Sequence, residues 1–409
     1  MARSLNSFGD RTFSSLRVRN YRLYFIGQII STSGTFMQSV AQAWLVLRLT
    51  NSGTALGLVA ALQNLPILLL APWGGVIADR LPKRKLLYLT QSAFGILALV
   101  LGVFVLTGWV RLWMVYVLAL AFGLINVIDN PTRQSFVVEM VGEDQLKNAV
   151  TLYSSMVNLA RIIGPSIAGI LIVTVGLGLC YILNGLSYVA VVTMLFAMQA
   201  DELRPPPRLE RAKGQISAGF RYVSSTPILR DVLIVMAIIG TLTYEFQISL
   251  PLLAQFTFHS DATGYAALTA ALGLGAVVGG LATASRKTTS FKVLVGAAFL
   301  FGLAALLACL MPTLPLAVAA MVLVGVFSIV FSSTGNTTLQ LQSDPQMRGR
   351  VMALWAIAFL GSTTIGGPVI GFIGQNAGAR WGLATGGLAA LAAGAYGVAA
   401  LARRPAQHP

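Results

Sequence analysis

The sequence has 409 residues, of which 56% are hydrophobic and 10% charged. A soluble domain carries about 25% charged residues, and a water-facing fold of this length has no room to hide so much apolar surface. A net charge of +15 would suggest nucleic acid in a soluble chain, but the placement of that charge, set out below, excludes this reading.

Apolar stretches long enough to cross a bilayer run through the chain at 21–47, 54–77, 86–107, 112–136, 147–173, 179–198, 229–256, 263–284, 291–310, 316–336, 350–375 and 381–402. They are continuous and rich in Leu, Ala, Val and Gly, not the ten-residue alternations of a membrane barrel. These are segments 1 to 12. Thr50-Asn51-Ser52-Gly53, Leu81-Pro82, Thr107-Gly108 and Met311-Pro312-Thr313 punctuate them as turns. The arginines before segment 1 precede no small-residue cleavage site, so segment 1 is expected to be retained.

One long polar interruption, 199–228, holds Pro205-Pro206-Pro207 and a run of charges. It divides the chain into 1–198, a linker at 199–228, and 229–409. Within it, Gln215 to Val223 is expected to form a short amphipathic helix on the membrane surface. The predicted fold is an all-α polytopic membrane protein of twelve transmembrane helices in two pseudo-symmetric six-helix bundles.

The basic residues fix the expected orientation. With the N-terminus inside and the sides alternating, cytoplasmic segments hold 24 of the 28 Lys and Arg residues, and the outer loops hold Arg48, Arg111 and Arg380. Both termini are therefore predicted to be cytoplasmic. This distribution explains the basic balance through topology, with no nucleic-acid partner. The two halves also resemble each other. Asn130 precedes Gly164-Pro165 as Asn336 precedes Gly367-Pro368, and small residues follow each Gly-Pro step.

At the end of segment 2 stands Gly75-Val76-Ile77-Ala78-Asp79-Arg80-Leu81-Pro82-Lys83-Arg84. This resembles the loop signature between the second and third helices of the major facilitator superfamily, with Pro82 in place of the usual Gly. The resemblance spans the whole chain through its six-plus-six layout. It implies that Gly75, Asp79, Arg80, Lys83 and Arg84 form a cytoplasmic gate, with Asp79 near the start of segment 11, where a helix N-terminus favours a carboxylate. The bland alternative is a plain basic topogenic loop. The copy in the second half, Gly280 to Lys287, has Ala284 where the Asp would stand.

Segment 5 carries Ala160-Arg161-Ile162-Ile163-Gly164-Pro165-Ser166-Ile167-Ala168-Gly169. It looks like the antiporter motif of drug exporters, in which Gly164, Pro165 and Gly169 give close helix contact and a kink. Asp344 to Leu354 and the stretch from Asn130-Pro131 to Asn148-Ala149 are similar to the siderophore-exporter and macrolide-efflux branch. That similarity implies a small-molecule substrate, bulky and organic, moved outward across a bacterial cytoplasmic membrane by a monomer.

Ionisable residues at membrane depth are functional candidates. Arg161 lies halfway along segment 5, on a polar stripe with Ser154, Asn158 and Pro165; a structural ion pair is the alternative reading. Glu245 in segment 7 shares a face with Thr241 and Ser249, at i−4 and i+4. Burial penalises the ionised form of a carboxyl group, which makes Glu245 the candidate for proton coupling. Asp129, with Arg133 one turn on, is assigned to the cytoplasmic gate and is the second candidate. Gln28, Ser31, Thr35, Gln38, Ser39 and Gln42 fall within an arc of about 100° on segment 1. Either they line a substrate cavity or they pack helix against helix.

Cys180 and Cys309 lack metal-ligand spacing and read as small core residues. The two histidines, His259 and His408, fall outside every segment. No nucleophile–base pair, metal site or phosphate loop appears, so no enzyme, no cofactor and no ATP drive are expected; a proton gradient is the expected driving force. The reading is a secondary active transporter exporting an amphipathic organic compound by alternating access. A lipid or lysolipid translocator of the same fold, and a membrane-anchored sensor, are its rivals.

Overall fold

The computed structural model describes residues 13–204, 215–284, 289–344 and 346–403. The central part of the 199–228 linker, Arg286-Lys287 of the degenerate second loop, and most of the N-terminal arginine tail lie outside the described residues. The described chain is helical throughout, without a strand.

The helices are α1 (Arg19–Thr50), α2 (Gly53–Arg80), α3 (Lys83–Leu106), α4 (Leu112–Thr174), α5 (Leu177–Phe196), α6 (Gln215–Ser225), α7 (Pro227–Leu242), α8 (Phe246–Leu252), α9 (Ala262–Ala284), α10 (Phe291–Leu310), α11 (Leu314–Gln342), α12 (Arg348–Ala356), α13 (Thr363–Asn376) and α14 (Ala379–Ala402). Ten spans among the described residues are long and apolar enough to cross a membrane. Only 25–56% of each span's apolar window is buried within the protein. The remainder is an outward apolar surface, with Leu89, Ile96, Ile170 and Leu281 all at least 60% exposed, and a surface of that kind is stable only in lipid.

Three features separate this pattern from the twelve segments read in the sequence. The 32-residue α1 is long enough to span, but its polar stripe lowers its hydropathy. Segments 4 and 5 run together in the 63-residue α4, which Gly142 interrupts at φ 70° and ψ 177°. A straight helix of that length would extend about 95 Å, three times the apolar depth of a bilayer, and the glycine breaks it into two helices. Segments 7 and 11 are each broken. α7 stops at Leu242 and α8 starts at Phe246, followed by a π-helical turn at Leu253–Thr257, and a second π-helical turn, Ile357–Gly361, separates α12 from α13.

The chain forms two compact units, Met1–Gln42 with Leu69–Glu210, and Ala43–Leu68 with Arg211–Pro409. The division at 198 drawn from the sequence therefore misses one feature: residues 43–68, carrying the end of α1 and the first half of α2, pack with the second unit. In the first unit, α3 and α5 cross at small residues. Gly95 faces the Tyr188 Cβ, and Gly185 faces the Leu99 side chain, so the two helices meet closely without a hydrophobic driving force between them. An apolar cluster of Tyr21, Tyr24, Leu87, Phe136, Met140, Val191 and Leu195 fills one end of this unit. The 3-10 turn Ser14–Arg17 docks on α4, where Ser14 Oγ donates to Gln145 Oε1 and Ser15 donates to Asn148 Oδ1. In the second unit, α9 and α11 cross where Gly325 meets the Leu272 carbonyl, and α10 and α14 cross where Gly302 meets the Gly387 carbonyl. Cys180 and Cys309 are buried and unbridged.

The amphipathic helix expected in the linker is α6. Val223 is buried, Phe220 is 67% exposed, and Gly219 rests on the Arg350 side chain of α12.

Candidate functional site

In the first unit, Asp129 on α4 is fully buried. Its Oδ1 accepts from Thr90 Oγ1 and Gln91 Nε2 of α3, both at 2.7 Å. Its Oδ2 pairs with Arg133 Nε at 2.6 Å. Arg133 Nη1 reaches Gln28 Oε1 on α1 at 3.5 Å. A residue read as cavity lining and two read as gate thus join one polar cluster of α1, α3 and α4. A buried ion pair endures when hydrogen bonds support it; Oδ1 of Asp129 has two such bonds, while Oδ2 has the ion pair alone.

The rest of the α1 stripe divides. Thr35 Oγ1 meets Tyr188 Oη at 3.0 Å, and Gln38 Oε1 accepts from Asn184 Nδ2 at 2.7 Å. Both contacts tie α1 to α5, so these two side chains serve helix packing. Ser31 and Gln42 are buried, at 3% and 9% exposure, and Ser39 turns back to the Phe36 carbonyl.

The loop between α2 and α3 is only Leu81-Pro82, and Pro82 directly precedes α3 with φ −59°. Proline's fixed φ makes the turn without the glycine of the related signature. Lys83 pairs with Glu139 of α4. Arg84 donates to the Leu195 and Phe196 carbonyls at the end of α5, at 3.0 and 3.1 Å, where a cation is favoured by the helix dipole. The basic pair therefore clamps three helices of its own unit. Gly75 is half-buried, and Asp79 and Arg80 are exposed at the end of α2.

In the antiporter-like stretch of α4, a Cβ on Gly164 would stand 2.6 Å from the Ser33 carbonyl oxygen of α1. Gly164, Pro165 and Gly169 are all buried. Arg161, one turn earlier, places its guanidinium 5.7 Å from the centre of the Phe36 ring. Asn158 is half-buried on the same stretch.

In the second unit the break at Thr243-Tyr244-Glu245 sends each side chain to a different helix. Thr243 Oγ1 donates to the Gly386 carbonyl of α14 at 2.8 Å, and Tyr244 Oη donates to the Ser328 carbonyl of α11 at 2.5 Å. Glu245 faces α13. Its carboxyl group is 3% exposed and stands against the Thr363 hydroxyl, while Oε1 has no hydrogen-bond partner. The Tyr244 ring stacks edge-on against Phe301 and Phe359. The face drawn in the sequence through Thr241, Glu245 and Ser249 needs an unbroken helix and is corrected here. Pro251 lies inside α8 and cannot donate to the carbonyl one turn back. The Thr241 hydroxyl is spent on the Ala237 carbonyl at 2.6 Å, and Ser249 is buried at 3% exposure.

Broken membrane helices expose backbone carbonyls and, with π-turns, recur at transport sites. Here a buried acid stands in such a break, beside a second helix with its own π-turn. No cluster of three or more His, Cys, Asp or Glu residues that could hold a metal occurs among the described residues.

At the far end of the second unit, Gln375 of α13 caps α2. Its Oε1 accepts from Ser52 Oγ, the Thr54 amide and Thr54 Oγ1, at 2.7, 3.1 and 2.9 Å. Gln255 Nε2 donates to Asn51 Oδ1 at 3.0 Å. Below this cap, Gly53 faces the Gly371 carbonyl and Gly57 faces Gly367.

Four participants escaped the sequence reading. Glu139 and Asp231 sit in apolar runs where a charge has to find a partner, and that signal was available. Asp231 is 4% exposed and accepts from Tyr396 Oη at 3.1 Å. Asn184 and Gln375 carried no signal, because only tertiary contact gives their amides a role.

The profile of the transmembrane secretion effector family matches residues 10–406. The enterobactin exporter EntS of Shigella flexneri is 28% identical over 358 residues, covering 87% of this chain and 85% of that protein. The same-named protein of Citrobacter koseri is 27% identical over 359 residues, covering 87% and 85%. Among solved structures, a bacterial homologue of the human lysosomal transporter Spinster, inward-facing and unoccupied, superposes with TM-score 0.69 at 16% identity, covering 94% of this chain and 96% of that one. A transporter of the POT family in complex with 5-aminolevulinic acid gives 0.74 at 11% identity, covering 92% and 95%. A bacterial homologue of the iron transporter ferroportin gives 0.71 at 16%, covering 94% and 99%. A helical chain matched almost end to end by one profile, with transporters as its relatives, has an unambiguous place: it belongs to the transmembrane secretion effector family and is a multi-pass membrane transporter of the major facilitator superfamily, not an enzyme.

Proposed function

We propose that this protein is a secondary active exporter of an amphipathic organic compound, driven by the proton gradient and working by alternating access as a monomer in a bacterial cytoplasmic membrane. The chain crosses twelve times, with the glycine break at 142 separating two crossings and α1 adding another, and both termini are cytoplasmic. The exporters among its relatives and the antiporter-like stretch around Gly164-Pro165 support the direction. Asp79, Arg80, Lys83 and Arg84 serve the cytoplasmic gate. The observation that carries the reading is Glu245: a carboxyl group 3% exposed, in the break of a membrane helix, with one oxygen lacking any partner. An acid that must be neutral when dry and can ionise when wetted is a proton carrier.

The test is transport in proteoliposomes under an imposed pH gradient. Glu245→Gln should still bind and exchange substrate but lose accumulation driven by the gradient. Full gradient-driven accumulation by that variant would remove Glu245 from the mechanism.

A further inference from the structure

Two neighbouring buried donors on α1 have no hydrogen-bond partner. Tyr24 and Gln28 stand one turn apart on α1, each 1% exposed, so their side chains share a face. Gln28 turns its Oε1 to Arg133 Nη1. Its Nε2 is left without an acceptor, and so is Tyr24 Oη. Buried polar atoms in native proteins almost always find a partner, and an orphan marks a place where something else binds.

The chemistry of the surroundings says what that is. Arg133 spends Nε on Asp129 and Nη1 on Gln28, yet its side chain keeps 25% exposure. Neither orphan donates to Asp129, whose Oδ1 accepts from Thr90 and Gln91 and whose Oδ2 forms the ion pair with Arg133 without accepting a hydrogen bond. The phenols of Tyr24, Tyr153 and Tyr188 also lie within the field of Arg133, and the Tyr188 hydroxyl is engaged with Thr35. The cluster therefore holds spare donors and a cation. A neutral water would satisfy the donors, but a negatively charged oxygen would also use the guanidinium, and charge-assisted bonds are the stronger ones.

We propose that Tyr24 Oη, Gln28 Nε2 and the open edge of Arg133 form a seat for an oxyanion, a carboxylate or phenolate on the exported compound. This rests on the exporter reading and narrows it: the cargo is an organic acid, with its anionic end held in the first unit. Asp129 is the internal counter-ion that holds Arg133 in place while the seat is empty. Both assignments go beyond a gate role for Arg133, which needs neither orphan.

The experiment compares dansylglycine with dansylglycinamide, which differ only in the carboxylate, by fluorescence titration of the purified full-length protein in nanodiscs. The carboxylate should bind about tenfold tighter, the discrimination expected of one charge-assisted contact. Tyr24→Phe removes one donor and breaks no bond within the protein, whereas Gln28→Leu removes the other donor together with the acceptor of Arg133 Nη1. Each should bring the ratio towards one by weakening the carboxylate alone, and for Tyr24→Phe thermal unfolding should be unchanged. Equal affinity in the wild type, no binding of the carboxylate, or an unchanged ratio in both variants would overturn the seat and leave a structural water as the partner. Uptake of dansylglycine into everted vesicles tests the exporter reading separately. Its absence alongside a retained carboxylate preference would strike that reading and leave the seat standing.

Discussion

The backbone of Gly366 lies against the Thr241 carbonyl so closely that no β-carbon fits between them. The carbonyl belongs to the last turn of α7 before the break, and Gly366 belongs to α13, one turn beyond its π-turn. The neighbour is backbone, which cannot swing aside as a flexible side chain would. Gly366→Ala should therefore destabilise the protein by ~2–3 kcal/mol, the upper part of the range for overpacking, and should abolish transport because Glu245 sits in the same break. Gly280→Ala is the control: a Cβ there meets nothing within 4 Å, and removing a glycine from a helix interior should be neutral or stabilising by up to ~1 kcal/mol. Thermal unfolding of the two variants in detergent decides the matter, and equal midpoints would refute the close contact.

The two acidic candidates should separate in one comparison. Asp129 is held by hydrogen bonds from Thr90 and Gln91 and by the ion pair with Arg133, whereas no ion pair holds Glu245, whose Oε1 has no hydrogen-bond partner. Asp129→Asn removes the counter-ion of the half-buried Arg133 and should cost ~2 kcal/mol of stability. Glu245→Gln should leave the unfolding midpoint nearly unchanged and affect only the response to a pH gradient. Instability of the Gln variant together with a robust Asn variant would reverse the assignment.

Lys83 and Glu139 form an ion pair with only 10% and 7% side-chain exposure. Removing one partner leaves the other charge buried, at a cost of about 3 kcal/mol. Glu139→Gln should lower the unfolding temperature, and the exchanged pair Lys83→Glu with Glu139→Lys should recover most of the loss. A double-mutant cycle measures the coupling, and strict additivity would show that the pair contributes nothing.

Gln375 supplies the N-terminal cap of α2 from more than 300 residues away. If the proposed alternating access involves this end of the second unit, the cap breaks each time α2 and α13 part. Gln375→Leu removes an acceptor worth ~1 kcal/mol, which should raise the rate at which an impermeant thiol reagent labels Ala60→Cys about fivefold. Gln375→Glu keeps the acceptor and should label at the parent rate. Identical labelling in all three backgrounds would make the contact static.

Asp261 lies outside the spans, at the start of α9, where its Oδ1 accepts from the Thr263 amide and hydroxyl. The Thr263 hydroxyl chiefly holds this carboxyl below its ordinary value. A depressed folded-state value gives a contribution that is fully present above the unfolded value, about 3.9, and lost as pH falls through the lower one. Amide protection in the first turn of α9 should be flat above about pH 5 and decline below about pH 4. In Asp261→Asn that decline should be absent.

The sequence by itself determined the class, the approximate crossings and the family. These depend on summed quantities, apolar length, charge placement and the Gly-Asp-Arg and Gly-Pro steps, and lipid reads such quantities residue by residue without needing to know the neighbours. It also singled out Glu245 as a candidate, because a lone acid in an apolar run is costly wherever the run packs. Tertiary structure alone decided the rest. The helix around Glu245 is broken because Thr243, Tyr244 and Glu245 find partners on three other helices, which no periodicity encodes. Gln28 and Gln38 look alike on the α1 stripe, yet Asn184 takes one and Arg133 holds the other beside two unbonded donors. Residues 43–68 join the second unit because Gly53 and Gly57 meet glycines in α13. Each of these outcomes depends on what stands within 4 Å across the chain, and the sequence does not state that distance.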